Sequence, residues 1–582
     1  MHGQSNNSQA DDISFLLGEV LEWNTLFSLP AYSHVDPDLA SMVIQQASKL
    51  AFEVISPINA AADSEASRLE DGRVRVPPVF HDAYRAITGG GWIGLDMPRQ
   101  YGGQGLPLAV QLAFAELLNG ACMSLGMLPV MQRAASVLLL RHAEEAFREM
   151  VVPRLVSGDW AATICITEAQ AGSDVGRINT TASELDGERY QLSGSKVFIS
   201  YGDHDLTRQI IHLVLARTPG APVGSRGLSL FIVPRLNFDD ESRNAVSVSR
   251  VENKMGLRAS PTCELVFDKA TAYRVGDVGQ GLHCMFTMVN LMRLEVSIQG
   301  PAIASQAFMA AKAYSQIRKQ GGQAEAKPVS LDSHADVQRM LLSMQARAEG
   351  SRALVYETAF NLDLAKAQTD SKKAAEARKL AEFLLPVCKS IGSETGFDVA
   401  NMAIQVFGGY GYIRETGVEQ YLRDARVAMI YEGTNGIQAL DLVQRKLVRD
   451  QGERYQLFAT RVKTAIEHCR PHEHLHSVVE ALERALAHLE SATSLQLSRG
   501  KPGNRDIEAS ASDYLSLVGL VGCGWMWLRI LAVIEPGSKP GSEKYAAGQF
   551  FSRYHMPESS VLLERIKQGS ELLSNTPSGA TS

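Results

Sequence analysis

From about Asp36 to Asp159, apolar residues recur at three- and four-residue spacing. LASMVIQQASKLAFEVISPI, LAVQLAFAELLNGA and MQRAASVLLLRHA each present one apolar face, which predicts amphipathic helices laid on a core. Between two of them, Met97–Pro107 (MPRQYGGQGLP) holds too many glycines and prolines for a regular element. From Trp160 to about Arg274 the period changes. TICITE, YQLSGSKVFIS, QIIHLVLAR, LSLFIVP and CELVFD are short, β-branched and aromatic, and bounded by turn residues. Leu185-Asp186-Gly187-Glu188, ahead of a strand pattern, is a hairpin signal. From about Gly279 helical spacing returns in long stretches: Met285–Lys319, Ala335–Lys366, Lys372–Gln405 and Thr416–Arg449. Long helices with short connections predict an antiparallel bundle. Lys319–Ser330 reads as a loop, and a last helical block follows Asp450, interrupted at Ser498–Asp506 and Glu535–Ser542.

The pattern therefore predicts an α+β multidomain chain. Its parts are an N-terminal helical domain (36–159), a middle β-barrel-like domain (160–274), a C-terminal four-helix bundle (275–449) and an additional C-terminal helical domain (450–582). The 582-residue length, with 45% hydrophobic and 21% charged residues, suits several globular domains with real cores. A net charge of −7 carries no electrostatic footprint for nucleic acid. No apolar run reaches the ~18 residues of a membrane span. The start, MHGQSNNSQADD, is polar and acidic where a secretory signal would be basic and then apolar, and reads as a disordered lead-in to a cytoplasmic protein. Seven scattered cysteines without a C-x-x-C pair predict buried thiols and neither a metal site nor a disulfide framework.

Three segments carry candidate chemistry. Cys165-Ile-Thr-Glu-Ala-Gln-Ala-Gly-Ser-Asp174 ends a strand in a polar turn whose backbone N–H groups suit an anion, although such turns also simply cap structure. Gln405-Val-Phe-Gly-Gly-Tyr-Gly-Tyr412 ends a long helix in glycines that allow close backbone approach to a phosphate, or serve only as a C-cap. Met429-Ile-Tyr-Glu-Gly-Thr-Asn-Gly-Ile-Gln438 sets one carboxylate among apolar neighbours, as a general base or as a salt-bridged residue near a helix start.

In this order and on this scaffold, the three segments resemble those of the acyl-CoA dehydrogenase family, from roughly Asp36 to Arg449. Tyr101-Gly-Gly-Gln-Gly105, Gly194-Ser-Lys-Val-Phe-Ile-Ser200, Lys254-Met-Gly256 and Ser260-Pro-Thr-Cys-Glu-Leu265 extend the resemblance. The extra C-terminal block and Gly202-Asp-His-Asp205 are most similar to the longer subfamily, which includes methylmercaptopropionyl-CoA dehydrogenases and certain bacterial fatty acyl-CoA dehydrogenases. The resemblance implies FAD as cofactor and an acyl-CoA thioester as substrate, desaturated to the trans-2-enoyl-CoA. Glu432 falls on the base that abstracts the α-proton while flavin N5 accepts the β-hydride. Ile166 and Thr167 match the strand against the isoalloxazine, Ser173 a pyrophosphate contact, Phe198 an aromatic on the flavin, and Ser200 a hydroxyl near N5. Arg318, Gln405 and Gly409 match positions that reach the ADP half of FAD in a partner subunit, and Thr434 a further pyrophosphate contact. A homodimer is implied, with an electron-transfer flavoprotein as electron acceptor. Arg293, Tyr431 and Gly433 match the substrate side of the site.

The chain also departs from the family pattern. Gln320-Gly321-Gly322 replaces an aromatic-glycine pair, Gln420 a basic residue, Arg177 a small one, and Gly436 a side chain that often reaches FAD. In isovaleryl-type relatives the base precedes the arginine matched by Arg293; Met292 stands there, and Glu295 does not match that position. Three alternatives keep the scaffold: a desaturase or oxidase acting on a carrier-protein thioester, a DNA-binding, non-catalytic member, and a flavin-free structural or binding protein. The near-neutral C-terminal block argues against the second.

Overall fold

The computed structural model describes residues 6–187, 189–501, 503–534 and 539–573. They form two compact units, one centred on Met42–Glu295 and the other made of Ser8–Ser41 with Val296–Ser582.

In the first unit, helices Val79–Gly89, Leu108–His142 and Glu145–Ser157 precede the sheet. The two apolar patterns at 108–121 and 131–143 belong to a single element, Leu108–His142, broken only where Cys122 leaves helical geometry (φ −158°, ψ 94°). The 36–159 stretch is not wholly helical. Strands β1 (Arg68–Glu70) and β2 (Arg73–Arg75) pair antiparallel across Asp71-Gly72, both with positive φ, as a two-residue hairpin turn requires.

The β domain holds β3 (Trp160–Cys165), β4 (Thr181–Glu184), β5 (Arg189–Ser200), β6 (Gln209–Arg217), β7 (Leu228–Pro234), β8 (Val246–Val251) and β9 (Thr262–Val275). The order β6-β4-β5-β9-β7 returns to β6, so five strands close a barrel, with β3 added on β6 and β8 on β9. Closure removes the free edges that an open sheet would expose. Leu192, Val214, Phe231, Phe267 and Ala272 fill its core. The hairpin of β4 and β5 turns through Leu185-Asp186-Gly187, and Glu188 lies outside the described residues. The Gly202–Asp205 run is a staple. Asp203 accepts from the Val74 N–H (3.2 Å) and Arg235 Nη1 (3.0 Å), and Asp205 from the Val76 N–H (3.2 Å), so both hold β2.

The second unit is helical. It contains the C-terminal half of Gly281–Ile317, then Ala335–Ala367 and Ser371–Phe407, the latter started by Asp370 accepting from Lys372 N and Lys373 N. Gly300 and Gly392 bring the first and third of these helices into backbone contact: a Cβ on Gly300 would stand 1.7 Å from the Gly392 carbonyl oxygen. The expected fourth helix, Thr416–Arg449, is interrupted. Val418–Ala425 tightens into Arg426–Met429, the chain turns at Glu432-Gly433, and helix restarts at Asn435–Leu440. Helices Glu453–Cys469, His476–Ser498, Arg505–Ala532, Lys539–Phe550 and Glu558–Gln568 follow, and Trp527 Nε1 donates to the Ala346 carbonyl at 2.9 Å.

Three further expectations are corrected. The polar start is not a disordered lead-in over its whole length: Asn6–Phe15 is helical, with Gln9 and Ala10 buried, while Met1–Ser5 lie outside the described residues. The predicted break at Glu535–Ser542 is helical from Lys539, and 535–538 lie outside the described residues. Among the described residues, two helices, Leu108–His142 and Arg505–Ala532, are long and apolar enough to cross a membrane, where the sequence reading found no such run. Their most apolar windows are 94% and 78% buried within the protein, as core helices are.

Candidate active site

In the first unit, β3 runs on into Ile166 and Thr167, both half-buried. The Thr167 carbonyl accepts from the Val197 N–H at 2.9 Å, which lays this segment along the middle of β5. There the β5–β9 register shifts between Lys196 and Ile199. Phe198 takes a left-handed φ of +60° and is 63% exposed, so the bulge presents its ring outward. Ser200 ends β5 half-buried, and Ser173 is exposed in the turn after Ala171.

A buried ion pair supports this edge. Lys196 Nζ donates to Glu168 Oε1 (2.9 Å) and to the Ile166 carbonyl (3.0 Å). Glu168 also accepts from Thr180 Oγ1 (2.5 Å), Thr180 N (3.0 Å) and Asn179 N (2.7 Å). Burial alone would raise its pKa, but the Lys196 ammonium and these hydrogen bonds outweigh burial and hold the carboxyl at about 2. Arg293 is buried with its guanidinium 5.8 Å from the Phe286 ring centre. Glu295 is engaged elsewhere: Arg133 donates to it (2.7 Å) and to both oxygens of Asp96 (2.7 and 2.6 Å). Burial, opposed by Arg133, pushes the Glu295 carboxyl up to about 7. All seven cysteines are buried and free, and no group of ligands able to hold a metal occurs among the described residues.

In the second unit, Glu432 (φ +56°) and Gly433 (φ +86°) form a left-handed pair in the gap between two helices. A left-handed non-glycine residue costs about 1–2 kcal/mol, so its surroundings must impose it. Gln438, fully buried, does so by donating through Nε2 to the carbonyls of Glu432 (3.2 Å) and Gly433 (3.3 Å). Thr434 caps the new helix, its hydroxyl accepting from Ile437 N at 3.3 Å. Tyr431 donates its hydroxyl to Gln299, and burial raises its pKa. Asn435, which the sequence reading did not single out, is bound on both faces of its amide by Lys389, Ser393 and Glu394. The overlooked signal is the lone lysine in LLPVCKSIG, a charge set in an apolar helical run.

The candidate ADP-side residues gather at the far end of helix Ser371–Phe407, about 16 Å along its axis from Glu394. Gln405 and Gly409 are exposed there, and the Arg318 guanidinium lies 5.6 Å from the centre of the exposed Tyr410 ring. A Cβ on Gly409 would meet nothing within 4 Å. The departures are locally satisfied: Gln420 donates to Asp424 (3.2 Å), and the Gln320 N–H donates to the Val329 carbonyl (2.8 Å). Arg177 pairs with Asp174 (2.7 Å), and Gly436 is exposed. The residues present fit a flavin dinucleotide, with an exposed aromatic and a half-buried strand edge for a planar ring. An exposed hydroxyl, a guanidinium and open glycine backbone suit its phosphates.

Four family models match the chain in order. These are the acyl-CoA dehydrogenase N-terminal domain (residues 38–159), middle domain (163–270) and C-terminal domain (279–447), then the acetyl-CoA dehydrogenase C-terminal-like domain (458–577). The chain is 37% identical to the 3-methylmercaptopropionyl-CoA dehydrogenase of Ruegeria pomeroyi, over 95% of this chain and 97% of that protein. It is 31% identical to the broad-specificity linear acyl-CoA dehydrogenase FadE5 of Mycobacterium tuberculosis, over 98% of each. Its fold matches that of Caenorhabditis elegans ACDH-11, solved in complex with C11-CoA, with a TM-score of 0.80 at 22% identity over 97% of this chain and 96% of that one. An acyl-CoA dehydrogenase from Bacillus anthracis complexed with FAD matches with a TM-score of 0.75 at 19% identity, over 93% and 90%. The chain belongs to the acyl-CoA dehydrogenase family, as an FAD-dependent oxidoreductase that dehydrogenates acyl-CoA thioesters.

Proposed function

We propose that Glu432 takes the α-proton of the acyl-CoA and that the product is the trans-2-enoyl-CoA. The observation that carries this is the left-handed Glu432-Gly433 turn, whose two carbonyls are tied to Gln438. A carboxylate on a loop so held keeps its direction, as a base within reach of one carbon must. A thioester α-proton is too weakly acidic for a carboxylate alone. The Glu432 backbone N–H therefore donates to the thioester oxygen and stabilises the enolate-like charge. When bound, FAD supplies the acceptor for the β-hydride.

Ile166, Thr167, Phe198 and Ser200 flank the flavin ring, while Ser173 and Thr434 hold the pyrophosphate. Arg318, Gln405 and Gly409 of one chain serve the ADP half of FAD held by a second copy, which makes the working form a homodimer. Arg293, Tyr431 and Gly433 line the substrate side. An electron-transfer flavoprotein in the cytoplasm takes the electrons.

The test is an anaerobic titration of the flavin-loaded protein with linear acyl-CoAs of graded length and with thioether acyl-CoAs, the two classes for which the relatives are named. We expect the visible flavin band to bleach with some of them. In Glu432→Gln, flavin content should be unchanged and bleaching slowed by about a hundred- to ten-thousand-fold, the usual weight of a positioned base. A Glu432→Gln protein that bleaches at the wild-type rate would remove Glu432 from the reaction.

A further inference from the structure

The side chains that hold Asn435 lie on helix Ser371–Phe407, not on the loop that carries Glu432. Lys389 is fully buried and donates through Nζ to Asn435 Oδ1 at 3.0 Å. Asn435 Nδ2 donates in turn to Glu394 Oε1 (2.9 Å) and to Ser393 Oγ (3.2 Å). Ser390 Oγ donates to the same Glu394 oxygen at 2.9 Å. The amide is thus read in one orientation, its oxygen against an ammonium and its nitrogen against a carboxylate. A lysine taken wholly out of water is expensive to keep, and packing alone would be served as well by an apolar residue.

What the cluster grips is the first residue of helix Asn435–Leu440. That helix carries Gln438, which holds the carbonyls of Glu432 and Gly433. Helix Ser371–Phe407 is itself fixed against helix Gly281–Ile317 by the backbone contact of Gly300 and Gly392, two residues from Glu394. The line of force therefore runs from a rigid helix crossing, through Asn435 and Gln438, to the peptide planes on either side of Gly433.

We propose that Lys389, Glu394 and Asn435 form a positioning clamp that sets the direction of the Glu432 loop. The three are positioning residues: they act through Gln438 and the left-handed turn. The proposal deepens the reading of Glu432 as the base and rests on it for its catalytic consequence.

The test uses the flavin-loaded full-length protein and a donor–acceptor swap. Asn435→Asp keeps shape and the contact with Lys389 but faces Glu394 with a second carboxylate. Adding Glu394→Gln restores a donor opposite the new acceptor. Two readouts are taken: amide exchange of the peptide covering 430–440, and flavin bleaching over a range of acyl-CoA concentrations, which gives the limiting rate and KM. For Asn435→Asp we expect exchange in 430–440 to rise at least tenfold, and bleaching to slow ten- to a hundredfold with KM within about twofold of wild type. In the double variant both should recover most of the way, which a general loss of stability would not do. Unchanged exchange in Asn435→Asp, or a defect that Glu394→Gln leaves in place, would overturn the clamp. Because exchange is read independently of chemistry, a wild-type protein that no acyl-CoA bleaches would count against the dehydrogenation mechanism while the exchange result still decides the clamp.

Discussion

Glu168 directly follows Thr167 and takes five hydrogen bonds from Lys196, Thr180, Asn179 and Gln170, so one carboxylate organises the turn beneath the strand edge. Its pKa is held at about 2 against an ordinary 4.5. A depressed carboxyl contributes stability that is fully present above the unfolded value and lost as pH falls through the folded one. The contribution therefore fades between pH 4.5 and about 2 and is constant above that range. Without the lysine, burial would dominate and drive the carboxyl up. Lys196→Met should thus lose on the order of 3 kcal/mol at pH 7, the size of a broken buried pair. The deficit should shrink as pH falls and Glu168 takes a proton. Urea midpoints at pH 7, 4 and 3 measure this, and a deficit that does not change with pH would refute it. Loss of the hydrogen bond from Lys196 to the Ile166 carbonyl should also loosen flavin binding.

At the scale of elements, Arg133 joins helix Leu108–His142 to Asp96, in the loop before Met97, and to Glu295, on helix Gly281–Ile317. Removing the guanidinium strands two buried carboxylates, so Arg133→Met should cost about 3–5 kcal/mol at neutral pH. Glu295 is already pushed up to about 7. A raised carboxyl favours folding below its unfolded value of 4.5 and loses that contribution as pH rises through 7. The Arg133→Met deficit should therefore be smaller at pH 5 than at pH 8, and equal deficits would show that Glu295 does not titrate in this range. Much of the element pattern was legible in the sequence: β3, β5, β6, β7, β9 and the long helices rest on local periodicity, and the three motif segments on their residue types and order. What escaped has non-local or compensated causes. A barrel-like β domain was expected, but its strand order was not: closure depends on β6 pairing with β7 and with β4, which is absent from the expected strands, and no window of sequence contains these pairings. The helix pattern of 416–449 continues across Glu432-Gly433, and the break is imposed by Gln438 from the next helix. Gly433 followed by Thr434, a stop and then a cap, was its only local sign. Asp71-Gly72 was a direct hairpin signal, masked by the helical stretches on either side.

At the scale of the chain, the second unit is discontinuous, because Ser8–Ser41 joins Val296–Ser582. The polar N-terminal helix Asn6–Phe15 lacks the apolar stripe that would fold it alone, which is why its sequence reads as disorder. Its order comes from partners hundreds of residues away. Lys544 Nζ bridges Asp12 (2.9 Å) and Glu349 (2.8 Å), and Gln306 donates to Gln9 (2.8 Å). Further along, Arg529 donates to the Val20 carbonyl (2.5 Å) and to Glu357 (2.7 Å), and the Tyr32 hydroxyl donates to Asp363 (2.7 Å). The N-terminal segment thus fastens the bundle helix Ala335–Ala367 to helices Arg505–Ala532 and Lys539–Phe550 of the additional C-terminal block. Deleting residues 1–35 should take Asp12 from Lys544, the Val20 carbonyl from Arg529 and the Tyr32 hydroxyl from Asp363, and expose the apolar surface now under Leu17, Trp23 and Leu26. Burial of three such side chains is worth roughly 1.5–3 kcal/mol each, so the loss should be large and local. Amide exchange by peptide should rise in 345–365 and 525–550, while strands β5, β6 and β9 keep their wild-type protection. Equal loosening of the barrel would mean that the segment supports the whole chain. No change in either region would mean that the additional block holds to the bundle without it.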